Sequence, residues 1–164
     1  MVSIRPAEPR DLEHIIGSLA GLARHVHEEH LMKSTVADLR RALFEPDPAL
    51  QGLVAEVASE YAGMSLFFRS YSTWRARTGA YVLDLFVEPR FRGQRVGEKL
   101  LQYIAALTRA RGGSYMRLVV DTKNFSAMHF YTRLGIVHSD TEQVHAAYGE
   151  AFDALADAAK LEQP

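Results

Sequence analysis

YVLDLFVEPRFRGQRVGEKLL, residues Tyr81 to Leu101, changes its periodicity half-way along. Tyr81 to Val87 is aromatic and branched-aliphatic around a single acid, Asp84, which predicts a largely buried strand. Glu88-Pro89 ends it, because Pro89 brings no ladder donor and pushes Glu88 into an extended conformation. Apolar residues then return at Val96, Leu100, Leu101, Ile104 and Leu107, a spacing that predicts an amphipathic helix starting between Gly93 and Val96. Between strand and helix lies Arg92-Gly93-Gln94-Arg95-Val96-Gly97. A strand, a short glycine-bearing turn and a helix N-terminus form an anion cradle. The first helical N–H groups lack intrahelical acceptors and stand at the positive end of the macrodipole. Gly93 and Gly97 let a ligand approach the backbone with no Cβ in the way. This is not a nucleotide P-loop, since Glu98-Lys99-Leu100 follows Gly97 where Lys-Ser or Lys-Thr is required, and it is not a dinucleotide fingerprint. Taken alone, the loop also fits a strand-to-helix turn with no ligand.

Working outward, 164 residues of which 48% are hydrophobic predict a single globular domain over 1–164 with one full core. A net charge of −1 implies no polyanion and hence no nucleic-acid partner. The fifteen arginines and four lysines are scattered except for Arg90, Arg92 and Arg95 beside the loop, a local cluster suited to a phosphorylated ligand. The absence of cysteine excludes a disulfide framework, a thiol nucleophile and a thiolate metal site. No stretch is long and apolar enough to span a membrane, and Met1 to Arg10 lacks the apolar run of a signal peptide, so a cytoplasmic location is expected.

Taken in order, Val2 to Arg5 is a short strand ended by Pro6 and Pro9, and Asp11 opens a helix whose apolar face runs from Leu12 to Val26. His25-Val-His27-Glu28-Glu29-His30 follows. His27 and His30 are three apart where a zincin helix needs four, so no metal is expected, and the segment is a solvated helix end or a substrate-facing wall. Thr35-Val-Ala-Asp38 is a capping box for a second helix ended by Glu45-Pro-Asp-Pro48. Apolar runs at Gly52–Ala58, Tyr61–Tyr71 and Ala80–Val87 are closely spaced and predict an antiparallel meander. After the loop and its helix, which ends at Gly112-Gly113, come a strand over Tyr115–Val120 and a short helix closed by Gly135. A last hairpin over Ile136–Ser139 and Glu142–Tyr148 is expected, then a helix over Gly149–Lys160.

The loop resembles the R/Q-x-x-G-x-G/A segment of GNAT acyltransferases, with Arg95 at the position where that family most often has glycine. A second stretch, Asn124-Phe-Ser126-Ala127-Met-His-Phe-Tyr131-Thr-Arg-Leu-Gly135, is similar to the N-x-x-A-x-x-x-Y-x-x-x-G segment of the same family. The resemblance runs along nearly the whole chain and is closest to the spermidine/spermine acetyltransferase branch, through Tyr71-Ser-Thr-Trp74-Arg, Asp84-Leu-Phe-Val87 and Tyr131. It implies an α/β fold with a mixed, mostly antiparallel sheet flanked by helices, acetyl-coenzyme A as cosubstrate with no metal, and a homodimer. It also implies that the coenzyme is held by Leu85, Phe86 and Val87 on the strand and by Arg92, Gly93, Gln94, Arg95, Val96, Gly97 and Glu98 in the loop. In the second motif, Asn124, Ser126, Ala127 and Tyr131 complete the set, with Asn124 on the pantetheine arm and Tyr131 near the thiol.

Acetyl transfer to an amine needs a neutral nucleophile, a donor for the carbonyl oxygen as it gains charge, and a proton for the departing thiolate. An alkylamine of pKa about 10.4 is neutral only about 0.04% of the time at pH 7, a penalty of roughly 4.6 kcal/mol. A base must offset part of it. Asp84 heads the candidates, ahead of Glu28, Glu29 and His27, because an acid inside an apolar strand needs a reason; pairing with an arginine is the alternative. The Val87 amide is the candidate oxyanion donor, and the Tyr131 phenol, by resemblance, the acid; a core tyrosine is the alternative there. His27, Glu28, Glu29, Trp74, Leu83 and Asp84 are the candidate substrate residues. By resemblance, polyamine enzymes carry acids where this chain has Val26 and Leu83, so the expected acceptor is a small primary or amino-acid-like amine. A catalytically weak acyl-CoA sensor or scaffold, or a protein or peptide N-acetyltransferase, are the competing functions.

Overall fold

The computed structural model describes residues 1–158. Five strands form one sheet in the order β1-β2-β3-β4-β5: β1 (Val2–Pro6), β2 (Gln51–Val57), β3 (Glu60–Ser72), β4 (Arg77–Val87) and β5 (Tyr115–Leu118). The first four pair antiparallel and β5 joins β4 in parallel. A parallel neighbour requires a crossover, which α3 (Val96–Ala110) supplies. The remaining helices are α1 (Leu12–His25) and α2 (Val36–Phe44), which precede β2, and α4 (Phe125–Arg133) and α5 (Glu150–Asp157), which follow β5. By compactness the chain divides into one unit over Met1–Phe130 and a second from Tyr131 onward.

Within the first unit the predicted elements form for the expected reasons. The Asp38 amide donates to Thr35 Oγ1 at 3.2 Å and the Thr35 amide to Asp38 Oδ2 at 2.9 Å, a reciprocal cap that starts α2. Arg5 donates to Asp11 Oδ2 at 2.7 Å and to Glu56 Oε1 at 2.9 Å, tying the start of α1 to β1 and β2. Burial opposes ionisation of Asp11, but its bonds from Arg5 and the Glu8 amide outweigh this and hold its pKa below the usual carboxylate range.

Alternation along β3 sends Met64 and Leu66 to one side of the sheet, where they pack with Phe86 of β4 and with Leu12, Ile15, Leu39 and Leu43 of α1 and α2. The opposite side carries α3, whose Val96, Leu100, Leu101 and Ile104 are buried. Two sheet faces, each covered by helix, are what such near-continuous apolar runs require. One irregularity matters for the site. Leu66 lies opposite Asp84 and Phe67 opposite Val82, which leaves Leu83 as an extra, bulged residue in β4.

The second unit departs from expectation. Ile136–Ser139 and Glu142–Tyr148 form no strands; the segment is irregular, and Val137, Val144 and Tyr148 are exposed. An isolated two-stranded hairpin without an apolar face to pack on is marginal, so strand-like composition alone does not produce one. The helix expected over Gly149–Lys160 is α5, and its last two predicted residues, 159 and 160, lie outside the described residues.

Candidate functional site

The site begins where β5 stops. β5 pairs with β4 only from Gly79 to Val82, so the stretch 83–87 of β4 has β3 on one side and, among the described residues, no strand on the other. The Glu88 amide donates to the Ala62 carbonyl of β3 at 2.9 Å. Backbone directions alternate along a strand, which turns the N–H groups of Val87 and Leu85 away from β3 and into the open edge. Asp84, opposite Leu66, shares the α1/α2 face of the sheet. Its own carbonyl accepts a hydrogen bond from the buried Ser65 hydroxyl at 2.8 Å. Its carboxylate has no ion pair or hydrogen bond among the described residues, so the arginine-paired alternative is not what the structure contains. Burial pushes the carboxyl pKa up to about 6.

The loop carries the second part. Arg92, Gln94 and Lys99 amides find carbonyl partners, at Pro89, Phe91 and Arg95, whereas the amides of Gly93, Arg95, Val96 and Gly97 have no acceptor among the described residues. Four unpaired N–H groups at the start of a fifteen-residue helix make the anion cradle that the sequence predicts. Arg92 Nε donates to the Val87 carbonyl at 3.2 Å and so fixes the loop against the strand end.

The glycines act for different reasons. Gly93 has φ +78 and open space around a built Cβ, so its constraint is conformational. At Gly97 a Cβ would lie 3.3 Å from the Phe130 ring and 3.5 Å from Val87, so its constraint is packing between α3, α4 and the strand end. Arg95 has φ 61, which explains why glycine suits this position and where its side chain goes: the guanidinium bonds Glu98 at 2.5 and 2.9 Å. Glu98 is thus held by Arg95, and the side chains of Phe86 and Val96 are core residues, so these two can offer a ligand only backbone.

These observations set a prediction for the loop. Replacing Arg95 by glycine relieves the left-handed strain at φ 61, gives up an exposed ion pair with Glu98 and keeps the backbone amide. With the amide kept in place, acetyl-CoA affinity is expected to stay within about threefold of wild type. Gly97→Val should weaken that affinity by about tenfold or more, since its methyls meet Phe130 and Val87. Isothermal titration of both variants with acetyl-CoA checks this, and unchanged binding by Gly97→Val would move the pyrophosphate elsewhere.

The second motif is placed as follows. Asn124 Oδ1 accepts from the Ala127 amide and from Ser126 Oγ, both at 3.1 Å, which makes Asn124 the cap of α4 and leaves its side-chain NH₂ for other contacts. Ala127 is half-buried and Ser126 exposed. Tyr131 opens the second unit; it is half-buried, and burial raises its phenol pKa. Its carbonyl accepts from the Leu134 and Ile136 amides, and Gly135, at φ +77, supplies the left-handed residue that closes α4.

The substrate candidates separate. Gly21 of α1 abuts the Phe86 ring, and beyond it His27, Glu28 and Glu29 are exposed in the connection from α1 to α2. Val26 is half-buried at the end of α1, and Leu83 is the exposed bulge residue next to Asp84. Among the described residues no group of three or more His, Asp or Glu side chains is placed to hold a metal. Trp74 does not join them: it stands in the β3–β4 turn, 97% exposed. Asp84 is seven residues along β4 from Arg77 at that turn, about 23 Å at strand rise.

Comparison with known proteins agrees with this geometry. The profile of the acetyltransferase (GNAT) family matches residues 17–136. A bovine (Bos taurus) thialysine N-epsilon-acetyltransferase is 33% identical over 142 residues, 82% of this chain and 83% of that protein. An L-methionine sulfoximine/L-methionine sulfone acetyltransferase of Pseudomonas paraeruginosa is 30% identical over 75% of this chain and 74% of its own length. Among solved structures, a possible acetyltransferase from Clostridium difficile superposes with a TM-score of 0.77, at 20% identity, over 92% of this chain and 99% of that one. With its five-stranded mixed sheet, its open strand end and its amide-lined loop, the chain belongs to the GNAT acetyltransferase family.

Proposed function

We propose that the protein transfers the acetyl group of acetyl-CoA to the amine of a small amino-acid-like molecule, by direct attack within a ternary complex. One juxtaposition carries this reading: Asp84 stands with an unpaired carboxylate beside the open end of β4, from which the Leu85 and Val87 amides also project. With a pKa of about 6, Asp84 is mostly ionised at pH 7 yet basic enough to take a proton from an incoming ammonium, directly or through water. The Val87 amide donates to the thioester oxygen as it gains charge. Gly93, Arg95, Val96 and Gly97 amides hold the pyrophosphate, and the NH₂ of Asn124 serves the pantetheine arm. Tyr131 is assigned as the acid for the thiolate; burial raises its phenol pKa and so keeps it in the protonated form that can donate at neutral pH.

The two relatives are named for thialysine and methionine sulfoximine, each a single amino acid and not a polyamine. The bulge residue beside Asp84 is Leu83, and the residue ending α1 is Val26, so neither supplies a countercharge for a second or third ammonium. The test compares kcat/KM for spermidine, spermine, 1,3-diaminopropane, a thialysine-like amine and a histone-like peptide. The thialysine-like amine is expected to lead, and a polyamine ahead of it by more than about tenfold, roughly 1.4 kcal/mol, would overturn the assignment. The reading includes a cytoplasmic homodimer. No described helix is long and apolar enough to cross a membrane, and Val144, Tyr148, Phe152 and Leu155 are exposed apolar residues that a second copy would cover. Sedimentation at micromolar concentration tests the assembly.

A further inference from the structure

The bulge at Leu83 changes which side chains of β4 share a face. Without it, Asp84 and Tyr81, three residues apart, would point to opposite sides of the sheet. With it, Asp84 lies opposite Leu66 and Tyr81 opposite Phe68, and Leu66 and Phe68 are two apart on β3. Asp84, Tyr81 and Phe68 therefore line the same α1/α2 face. The Phe68 and Tyr81 rings are stacked, with centroids 5.1 Å apart and planes at 19°. Both are half-buried, and neither belongs to the core that α1 and α2 close over Met64, Leu66 and Phe86. The row ends at Tyr115 of β5, whose ring lies over Gly79 and whose hydroxyl meets Ser70 Oγ at 3.1 Å.

We propose that the stacked Phe68 and Tyr81 rings are the floor of the acceptor site and select an amino acid whose reacting amine ends a four- or five-atom apolar or thioether side chain. This rests on the acetyltransferase reading of the same site. Asp84 and Tyr81 are about 10 Å apart at full strand rise, less across a bulge, and an extended lysine-like chain spans about 6 Å from its amine to Cα. An amine at Asp84 thus lays its methylenes or sulfur across the Tyr81 ring. A shorter chain reaches Asp84 without covering the rings, so the platform reads length.

The experiment is a chain-length ladder: kcat/KM for 2,4-diaminobutyrate, ornithine, lysine and the thioether analogue of lysine, with wild type, Tyr81→Ala, Tyr81→Phe and Phe68→Leu. Wild type should gain about fourfold in kcat/KM per added methylene. Tyr81→Ala should flatten that gain to less than about twofold per methylene with acetyl-CoA binding unchanged, Phe68→Leu should flatten it in part, and Tyr81→Phe should retain it. An unchanged slope in a Tyr81→Ala protein that is active overturns the platform and leaves the acetyltransferase reading standing. A wild-type protein that acetylates none of these amines overturns both. If Tyr81→Ala does not fold, the slope in Phe68→Leu decides.

Discussion

Asp84→Asn is expected to lower kcat/KM by about 10²- to 10⁴-fold at pH 7, the usual contribution of a general base. The base is active as carboxylate, so wild-type activity should rise with pH through about 6, and the Asn variant should lose that limb. Stability should move the other way. Burial raises the folded-state pKa from 3.8 to about 6, so the folded protein holds its proton where the unfolded chain has lost it. Stability then falls as pH rises between these values, and above about 6 the buried charge costs on the order of 2–3 kcal/mol. Asp84→Asn should therefore unfold at higher temperature than wild type at pH 7.5 and near the wild-type temperature at pH 4. A variant of unchanged activity, or one less stable at pH 7.5, would make Asp84 a structural acid.

Tyr131→Phe is expected to lower kcat by about 10²- to 10⁴-fold while leaving acetyl-CoA affinity nearly unchanged, because a proton donor acts mainly in the transition state. Loss of the hydroxyl keeps the half-buried ring in place. The measurement is kcat at saturating substrates across pH 6–9, with coenzyme titration alongside. A change below about threefold, which is about 0.6 kcal/mol, would leave Tyr131 a packing residue.

The parts of the fold set by local chemistry are readable in the chain. Pro89 ends β4, the Thr35–Asp38 box starts α2 and the Val96–Leu107 spacing gives α3, each within a residue or two of the structure. The loop is readable for the same reason, although the separate constraints on Gly93 and Gly97 need φ and the neighbouring Phe130 to be seen. The tertiary features are hidden. Nothing in Val82-Leu83-Asp84 marks a bulge, so strand alternation alone would set Tyr81 and Asp84 on opposite faces, and Phe68 carries no motif that singles it out. Trp74 belongs to a suggestive aromatic cluster in sequence, but the length of the β3–β4 hairpin carries it away from Asp84. The missing C-terminal hairpin has the same origin. Its composition suits strands, and composition does not provide the sheet they would need.

The most direct test of acetyl transfer at the open end of β4 is amine-dependent thiol release. Purified protein is mixed with saturating acetyl-CoA and a thialysine-like amine, with free thiol and acetylated amine quantified together. Equal, catalytic amounts of thiol and acetylated amine, abolished by Asp84→Asn, are the predicted result. Tight acetyl-CoA binding with no amine-dependent thiol release across the acceptor panel would contradict it and identify a coenzyme-binding module without turnover.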